Sequence, residues 1–316
     1  MSSSKSKVAI IGAGFVGASA AFAASLNQLV NELVLIDVNG KKALGEAMDI
    51  NHGLSFLGQM SVKAGDYSDC ADCDVIVITA GANRKSGESR MDLARKNVAI
   101  AKEITANVMK YYTRGVILVV SNPVDVLTYM IQKWSGLPSS KVIGSGTVLD
   151  SSRFRYLLSE KLGVDIRNVH GYIVGEHGDS QLPAWSATHV AGKNICEYFS
   201  QPGSGITEAD KEIIAREVKK SGAEIIKNKG ATYYAIAVSI NTIIETLLKN
   251  QNTIRTVSSL MNGMYGIHDV SLSLPSVVNS SGVSSVVELK LTPEEEAALR
   301  CSAEQIKAIL EEVKNI

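Results

Sequence analysis

Residues 7–37 read KVAIIGAGFVGASAAFAASLNQLVNELVLID, and this stretch decides the fold. An apolar, strand-like run ends at Gly12, an alanine-rich helical segment follows Gly17, and a second apolar run ends on Asp37. A GxGxxG pattern between a strand and a helix, with an acid about 20 residues further on, is typical of a dinucleotide-binding turn. The glycines alone would also fit a βαβ turn that binds nothing, but this context favours a nucleotide.

The parts of this turn point to one cofactor. Gly12 permits the tight turn, Gly14 lets a pyrophosphate approach the backbone, and Gly17 lets the helix pack closely on the strand. The free N–H groups at the start of the helix are suited to phosphates. We expect Asp37 to accept the hydroxyl groups of an adenosine ribose, and Val38 brings no cation for a 2′-phosphate. The sequence therefore predicts NAD rather than NADP.

Composition limits the remaining classes of function. The chain has 316 residues, and we predict two domains, an NAD-binding domain over 1–145 and a catalytic domain over 146–316. The chain has 32 basic and 32 acidic residues, so it has no net positive charge that would attract nucleic acid or an anionic membrane. No apolar stretch approaches the ~20 residues that cross a bilayer. We predict a cytoplasmic protein that binds neither nucleic acid nor membranes.

The pattern after Asp37 alternates between strands and helices. Val75–Ile78 and Val116–Val120 are unbroken apolar runs, as in a parallel sheet covered on both faces, and the periodic segment Met91–Tyr112 between them is helical. We predict an α/β fold in which a doubly wound parallel sheet (Rossmann) is followed by a mixed α+β substrate domain. Ligands are then expected where the strands end, in the loops after Ile11, Thr79 and Val120.

In the second half, longer helices and short strands no longer alternate regularly. We predict helices over 147–162, 208–228 and 231–250, a possible pair of hairpin strands over 169–175 and 186–191, further strands over 142–145, 253–261 and 270–278, and a last helix that starts with a capping box at Thr292 and Glu295.

The segment Gly175–Asp179 places His177 between an acid and a glycine at the end of an apolar run. An imidazole titrates near 6.5, so it can take the hydroxyl proton of an alcohol while hydride leaves for a nicotinamide. It needs a carboxylate partner, for which Asp150 is the candidate. Arg153 lies three residues further along the same helix face, where it can hold a substrate carboxylate. Taken alone, His177 would also fit a structural loop.

Two loops at the carboxyl edge of the sheet add polar groups. The loop over 79–90, TAGANRKSGESR, has two glycines and two arginines. This composition predicts a mobile flap that brings positive charge to a bound ligand. The competing interpretation is a solvated basic loop. Asn122 precedes Pro123 after the next strand, and its amide suits contact with the nicotinamide or the substrate oxygen.

These motifs together resemble the lactate/malate dehydrogenase family. The resemblance rests on GAGFVG with Asp37, TAGANRKSGESR, SNPVD, VIGSGTVLDSSRFR and GEHGDS, and it spans most of the chain. It implies that His177 is the proton donor and acceptor, with Asp150 as its partner. It also implies that Arg153 clamps the substrate carboxylate, that Arg90 polarises the carbonyl and that Asn122 binds beside the nicotinamide. The family's usual assembly is a homo-oligomer, often a tetramer.

We predict that the cofactor contacts come from the glycine turn, the end of the second strand, the start of the flap, the helix after it and the Asn-Pro loop. These residues are Gly12, Gly14, Phe15, Val16, Gly17, Asp37, Thr79, Ala80, Gly81, Asn97 and Asn122.

Arg84 carries the substrate prediction. In this family the position typically holds glutamine in enzymes acting on pyruvate and arginine in those acting on oxaloacetate, so we predict that Arg84 binds the second carboxylate of a dicarboxylic acid. The expected activity is interconversion of malate and oxaloacetate, and the alternative is an L-lactate dehydrogenase. The surroundings are otherwise lactate-dehydrogenase-like, including Thr232, a further predicted substrate contact. Arg155 and His170 match a pair that some family members use to bind fructose 1,6-bisphosphate, which predicts a phosphate-type effector between subunits.

Other classes leave weaker traces. Tyr129 and Lys133 form the YxxxK of short-chain dehydrogenases, but the glycine pattern differs from that family. The NAD-dependent glycosidases share the nucleotide fold and need a metal site, for which no cysteine and histidine cluster is present in the sequence, and we predict no metal. A non-catalytic NAD sensor would not need His177 and its partners. Cys70 and Cys73 form a single CxxC, which predicts two incidental thiols.

Overall fold

The computed structural model describes residues 6–82, 87–198 and 206–316. In the first half, strands and α-helices alternate, except that the third and fourth strands follow each other without an α-helix between them. They are β1 (Lys7–Ile11), α1 (Phe15–Leu26), β2 (Glu32–Ile36), α2 (Gly40–Gly53), β3 (Ser61–Ala64), β4 (Val75–Ile78), α3 (Arg90–Met109), β5 (Val116–Val119), α4 (Val124–Ser135) and β6 (Val142–Gly144).

The second half mixes longer helices with short strands. They are α5 (Val148–Leu162), β7 (Val169–His170), β8 (Ile173–Val174), β9 (Leu182–Pro183), β10 (His189–Val190), β11 (Lys193–Asn194), α6 (Ile195–Tyr198), α7 (Glu208–Lys229), α8 (Tyr234–Leu248), β12 (Thr253–Arg255), β13 (Ser258–Asn262), β14 (His268–Ser273), β15 (Ser276–Asn279), β16 (Gly282–Val286) and α9 (Pro293–Val313).

The main sheet has the order β14-β13-β6-β5-β4-β1-β2-β3. Strands β1 to β6 run parallel, and the chain order reverses between β1 and β4, where a doubly wound sheet binds its ligands. The second half extends this sheet with antiparallel strands, because Ser258 of β13 pairs with Gly144 of β6. The predicted α/β fold with a parallel Rossmann sheet is confirmed.

The core lies on both faces of this sheet. Side chains alternate along each strand, so that Ile10 and Leu35 face α1, α2 and α8, whereas Ile11 and Ile36 face α3, α4 and α9. The second half adds its own cluster around Phe154 and the helices α5 and α7. The buried strands hold the sheet in place, and the polar loops follow their carboxyl ends.

Several elements differ from those that the sequence predicts. Strand β3 was missed, because its side chains at Ser61 and Lys63 point outward and give an edge strand little apolar signal. The strand-like runs 253–261 and 270–278 each divide into two strands that join different sheets. Apolar runs show burial but not where a strand leaves its sheet.

In the described residues, no helix is both long enough and apolar enough to cross a membrane.

The capping box of α9 gives a stability test. Thr292 Oγ1 accepts the N–H of Glu295 at 3.2 Å, and the Glu295 carboxylate accepts the N–H of Thr292 at 3.0 Å. We expect Thr292→Ala to lower the free energy of unfolding by about 1 kcal/mol, measured by urea denaturation. Thr242→Ala is the control, because the Thr242 hydroxyl only donates to a carbonyl within α8. An equal loss in both variants would contradict a capping role.

Candidate active site

The glycine turn between β1 and α1 is tightly enclosed. Gly12 has φ +106°, and a Cβ there would lie 2.6 Å from the backbone nitrogen of Ala80. A Cβ on Gly17 would lie 1.9 Å from the Gly12 carbonyl oxygen, which also accepts the hydroxyl of Thr79 at 2.8 Å. No larger side chain fits at either glycine, so the turn stays close to the sheet.

The start of α1 has free space around it, in contrast to Gly12 and Gly17. A Cβ on Gly14 would meet nothing within 4 Å, and this residue caps the helix without a side-chain hydrogen bond. The first turn of α1 contains no acidic residue. Because the first N–H groups of a helix lack intrahelical partners, this end fits the pyrophosphate of a dinucleotide.

Asp37 lies beside this helix end, on a cleft of about 410 Å³ that is also lined by Thr79, Ala80 and Gly81. Its carboxylate accepts the N–H of Ala13 at 2.7 Å, which fixes its place at the end of β2. A carboxylate oxygen accepts more than one hydrogen bond, so ribose hydroxyl groups are compatible with that contact. The cleft therefore fits the adenosine side of NAD.

Two residues predicted to contact the cofactor have other partners in the structure. The Asn97 amide oxygen accepts the N–H of Ala82 at 2.7 Å, and its nitrogen donates to the carbonyls of Asn122 at 2.7 Å and Ala82 at 3.3 Å. Asn97 thus joins the base of the flap to the Asn-Pro loop. Phe15 is exposed and stacks on Tyr233 at 5.3 Å between ring centroids.

A second cleft of about 350 Å³ collects the residues predicted to carry the chemistry. His177, Asp150, Arg153, Asn122 and Thr232 all line it. Val16 of the glycine turn lines the same cleft, so the nucleotide-binding turn and the second half of the chain meet there.

The centre of this cleft is an ion-paired triad. His177 Nδ1 lies 2.6 Å from one carboxylate oxygen of Asp150, and Arg153 donates to the other at 3.0 Å. Asp150 and Arg153 share a face of α5, and His177 follows β8 through Gly175 at φ +87°. The Asp150 side chain is 2% exposed, whereas the side chains of Arg153 and His177 keep 15% and 27% exposure to the cleft.

Burial and charge oppose each other in this triad. Burial alone would lower the pKa of His177, but the Asp150 carboxylate outweighs it and raises that pKa to about 9. Burial would likewise raise the pKa of Asp150, and the charges of His177 and Arg153 hold it below its usual value. The triad therefore favours a protonated His177 ring beside an ionised Asp150 carboxylate. The His177 ring can then donate its proton to an oxygen in the cleft.

The flap residues stand apart from this cleft. The Arg90 guanidinium pairs with the carboxylate of Asp179, and both side chains are 71% exposed. Asp179 lines the cleft, so Arg90 is held at its edge. Arg84 lies outside the described residues.

The two residues of the predicted effector site, Arg155 and His170, do not line this cleft. The Arg155 side chain donates to the Ser151 carbonyl at 3.2 Å, and burial lowers the pKa of Arg155 and of the neighbouring Arg255. In the described part of the chain, no carboxylate lies within ion-pair distance of either guanidinium. His170 is exposed in β7.

Sequence reasoning missed several residues around the site, and Asp125 is the one that holds His177. Asp125, in the first turn of α4, accepts the backbone N–H of His177 at 2.7 Å. The signal was an acid between apolar residues, Val124 and Val126, at the end of the SNPVD motif. The thiols of Cys70 and Cys73 are free and buried, and burial raises the pKa of each to about 12, as expected for unreactive cysteines.

The carboxylate of Asp37 generates a test of cofactor choice. We expect a higher kcat/KM for NADH than for NADPH, because a 2′-phosphate would meet Asp37 with only Val38 beside it. Exchanging both residues, in Asp37→Ser with Val38→Arg, should raise NADPH efficiency by roughly 10-fold or more, since hydrogen bonds to charged groups contribute about 1.5–3 kcal/mol. Asp49→Ser on α2, which does not line this cleft, is the control. Equal efficiency of both cofactors in the unaltered protein would contradict the assignment.

Two family descriptions cover this chain. Residues 6–144 match "lactate/malate dehydrogenase, NAD binding domain", and residues 147–316 match "lactate/malate dehydrogenase, alpha/beta C-terminal domain".

Named relatives are similar over almost their full length. The chain is 48% identical to the L-lactate dehydrogenase of Acetivibrio thermocellus over 304 residues, 96% of each chain. It is 49% identical to that of Thermoanaerobacter pseudethanolicus over 307 residues, 97% of this chain and 99% of the relative. Among solved structures, an L-lactate dehydrogenase from Clostridium thermocellum has 71% identity and a TM-score of 0.88, covering 98% of this chain and 100% of that one. The minor L-lactate dehydrogenase of Enterococcus mundtii, in its ligand-bound form, has 44% identity and a TM-score of 0.95, with 98% of each chain covered.

These relatives overturn the substrate prediction. We predicted malate and oxaloacetate from Arg84, but the similar proteins named above are L-lactate dehydrogenases, so the malate prediction is wrong. The prediction of the family itself is confirmed, and so is NAD as the cofactor. On the two domain matches, which leave little of the sequence outside them, the chain belongs to the lactate/malate dehydrogenase family of NAD-dependent enzymes.

Proposed function

We propose that this protein is an L-lactate dehydrogenase, which reduces pyruvate to L-lactate with NADH and catalyses the reverse oxidation. The observation that carries the proposal is the cluster of His177, Asp150 and Arg153 in one cleft beside the nucleotide-binding turn. The names of the relatives at 48% and 49% identity support pyruvate as the substrate.

Arg153 is proposed to bind the substrate carboxylate. One of its N–H groups donates to Asp150, and a guanidinium has five donors, so others remain for the cleft. Two parallel hydrogen bonds to a carboxylate would fix the orientation of pyruvate as well as its charge. Val120, Leu149 and Ile236 line the same cleft and offer an apolar surface to the methyl group.

His177 is proposed to donate the proton. Its Nδ1 is paired with Asp150, which leaves Nε2 as the nitrogen that can face the substrate oxygen. NADH, which the glycine turn and Asp37 would hold, would supply the hydride for C2 of pyruvate. The carbonyl π electrons then become an oxygen lone pair, which takes the proton from Nε2 and leaves a neutral imidazole.

Arg90 is proposed to act on the same oxygen after its side chain leaves Asp179 and enters the cleft. Its guanidinium now pairs with Asp179 at the edge of the cleft, and an exposed ion pair of this kind contributes only about 0–1 kcal/mol. Leaving Asp179 therefore costs little. Near the carbonyl, the same charge would stabilise the developing oxyanion.

Assembly and regulation remain proposals. We infer a homo-oligomer, with a tetramer favoured, and exposed apolar side chains on α1 and α2, such as Phe22 and Met48, are suitable contacts for a second copy. We also keep Arg155 and His170 as a proposed effector site for a phosphate-type ligand, since the Arg155 guanidinium has no acidic partner in the described residues. Two domains divided at 145/146 and a cytoplasmic location likewise stay predictions.

Substrate choice is tested by steady-state kinetics with NADH. We expect a higher kcat/KM for pyruvate than for oxaloacetate, and L-lactate as the product. His177→Gln should reduce pyruvate turnover by about 10²–10⁴-fold, the usual contribution of general acid catalysis. His189→Gln, outside the cleft, should leave it unchanged. A preference for oxaloacetate, or formation of D-lactate, would refute the proposal.

The pKa of His177 predicts opposite pH profiles for the two directions. Pyruvate reduction needs the protonated ring, so kcat/KM should fall as the pH rises through about 9, whereas lactate oxidation needs the neutral ring and should rise there. Asp150→Asn removes the charge that raises this pKa, and both limbs should move to lower pH, with kcat for reduction about 10²-fold lower or more. Asp165→Asn, on the surface beside Arg167, is the control. Profiles that do not move in Asp150→Asn would contradict this role for the pair.

A further inference from the structure

Asp125 is a buried carboxylate for which the proposed reaction has no role. It is 2% exposed, and its oxygens accept two short hydrogen bonds, from Ser258 Oγ at 2.6 Å and from the His177 N–H at 2.7 Å. Across residues 6–82, 87–198 and 206–316, no lysine or arginine forms an ion pair with it.

A carboxylate is a costly choice for these two hydrogen bonds. Burying a charge without a paired cation is unfavourable, and an asparagine of the same shape would accept the same backbone N–H. Burial indeed raises the pKa of Asp125 to about 6, while the hydrogen bonds from Ser258 and His177 oppose that rise. Above this pH the group is an anion, and the His177 ring is a cation that it can stabilise.

The two carboxylates hold His177 from different helices. Asp150 of α5 binds the ring at Nδ1, and Asp125 of α4 binds the main chain of the same residue. The charged groups that act on His177 are these two anions, which raise its pKa, and Arg153, which lowers it. Glu176 faces Asp125 and raises the pKa of that carboxyl.

We propose that Asp125 is a positioning residue for His177. It holds the main chain of His177 so that the ring stays within hydrogen-bond distance of Asp150, and the negative charge of Asp125 favours the protonated ring. The inference rests on the proposed function, in which His177 donates the proton. Asp125 itself does not line the cleft and touches neither substrate nor cofactor.

A purely structural role makes a different prediction. An acid in the first turn of a helix interacts favourably with the helix dipole, and Asp125 occupies such a position in α4. If that were its whole role, Asp125→Asn would change stability and leave the titration of His177 in place.

The experiment is an NMR titration of the full chain labelled with ¹⁵N-histidine, without cofactor or substrate. The chain has five histidines, and His177→Gln assigns the signal. Asp125→Asn keeps both hydrogen bonds, since its amide oxygen accepts from His177 and its amide nitrogen donates to Ser258. We expect this variant to lower the pKa of His177 by about one pH unit.

Two matched variants separate charge from shape. Ser258→Ala removes a hydrogen bond and keeps the carboxylate, so it should shift the His177 titration by much less than Asp125→Asn does. Asp210→Asn makes the same chemical change in the first turn of α7, away from the cleft, and should not shift it. An unmoved His177 titration in Asp125→Asn, or an equal shift in Ser258→Ala, would overturn the role of the charge.

The unaltered protein gives a measurement that does not depend on a variant folding. The backbone N–H of His177 donates to Asp125, so its amide signal should shift with a midpoint near pH 6 as that carboxyl ionises. An amide signal with no transition at any pH from about 3 to about 8, the span over which this carboxyl would ionise, would also overturn the inference.

Kinetics then distinguish this inference from the proposed function. In Asp125→Asn the decline of pyruvate reduction at high pH should begin about one unit lower, while kcat at neutral pH changes less than in Asp150→Asn. If the protein does not reduce pyruvate but the His177 titration still shifts, the proposed function fails and the positioning role stands. If pyruvate is reduced and the titration does not shift, only the inference fails.

Discussion

The ion pair of His177 with the buried carboxylate of Asp150 is the interaction on which the rest of the site depends. A carboxylate that is 2% exposed is tolerated because two cationic side chains, His177 and Arg153, satisfy its two oxygens. Removing one partner from a buried pair typically costs about 3–5 kcal/mol, so this contact also ties α5 to the loop after β8. The same arrangement that stabilises the packing keeps a proton available at the ring.

The sheet brings this pair to the cofactor. The parallel strands β1, β4 and β5 end at one edge, where the glycine turn, the base of the flap and the Asn-Pro loop meet. Asn97 connects two of these loops by hydrogen bonds to Ala82, which lines the nucleotide cleft, and to Asn122, which lines the second cleft. Strands from the second half extend the same sheet, and Ser258 on β13 reaches Asp125. One continuous sheet thus supports both the nucleotide side and the proton-donating side.

Much of the site could be predicted from the sequence because its signals are local. The spacing of Gly12, Gly14 and Gly17 defines a turn, and the three-residue spacing of Asp150 and Arg153 places both on one helix face. Asp125 could not be found in this way, since its partner His177 is 52 residues away and the contact is to a backbone N–H. Strand β3 was missed for a related reason, because an edge strand needs few apolar side chains. Residue type alone also misled us at Arg84, because one arginine in the sequence predicted a dicarboxylic acid whereas the similar proteins are L-lactate dehydrogenases. The setting of Thr232, which lines the cleft, agrees better with the L-lactate dehydrogenases to which the chain is similar.

We infer that His177 binds the substrate as an imidazolium held by Asp150. The most direct test is the affinity of the enzyme–NADH complex for oxamate, an unreactive isostere of pyruvate, measured from about pH 6 to about 10. Oxamate presents the same carboxylate and carbonyl oxygen, and it takes no hydride, so its Kd reports the protonation of His177 without catalysis. We expect a constant Kd at low pH that rises about tenfold per pH unit above about 9. A Kd that does not change over this range, or that falls as the pH rises, would contradict it.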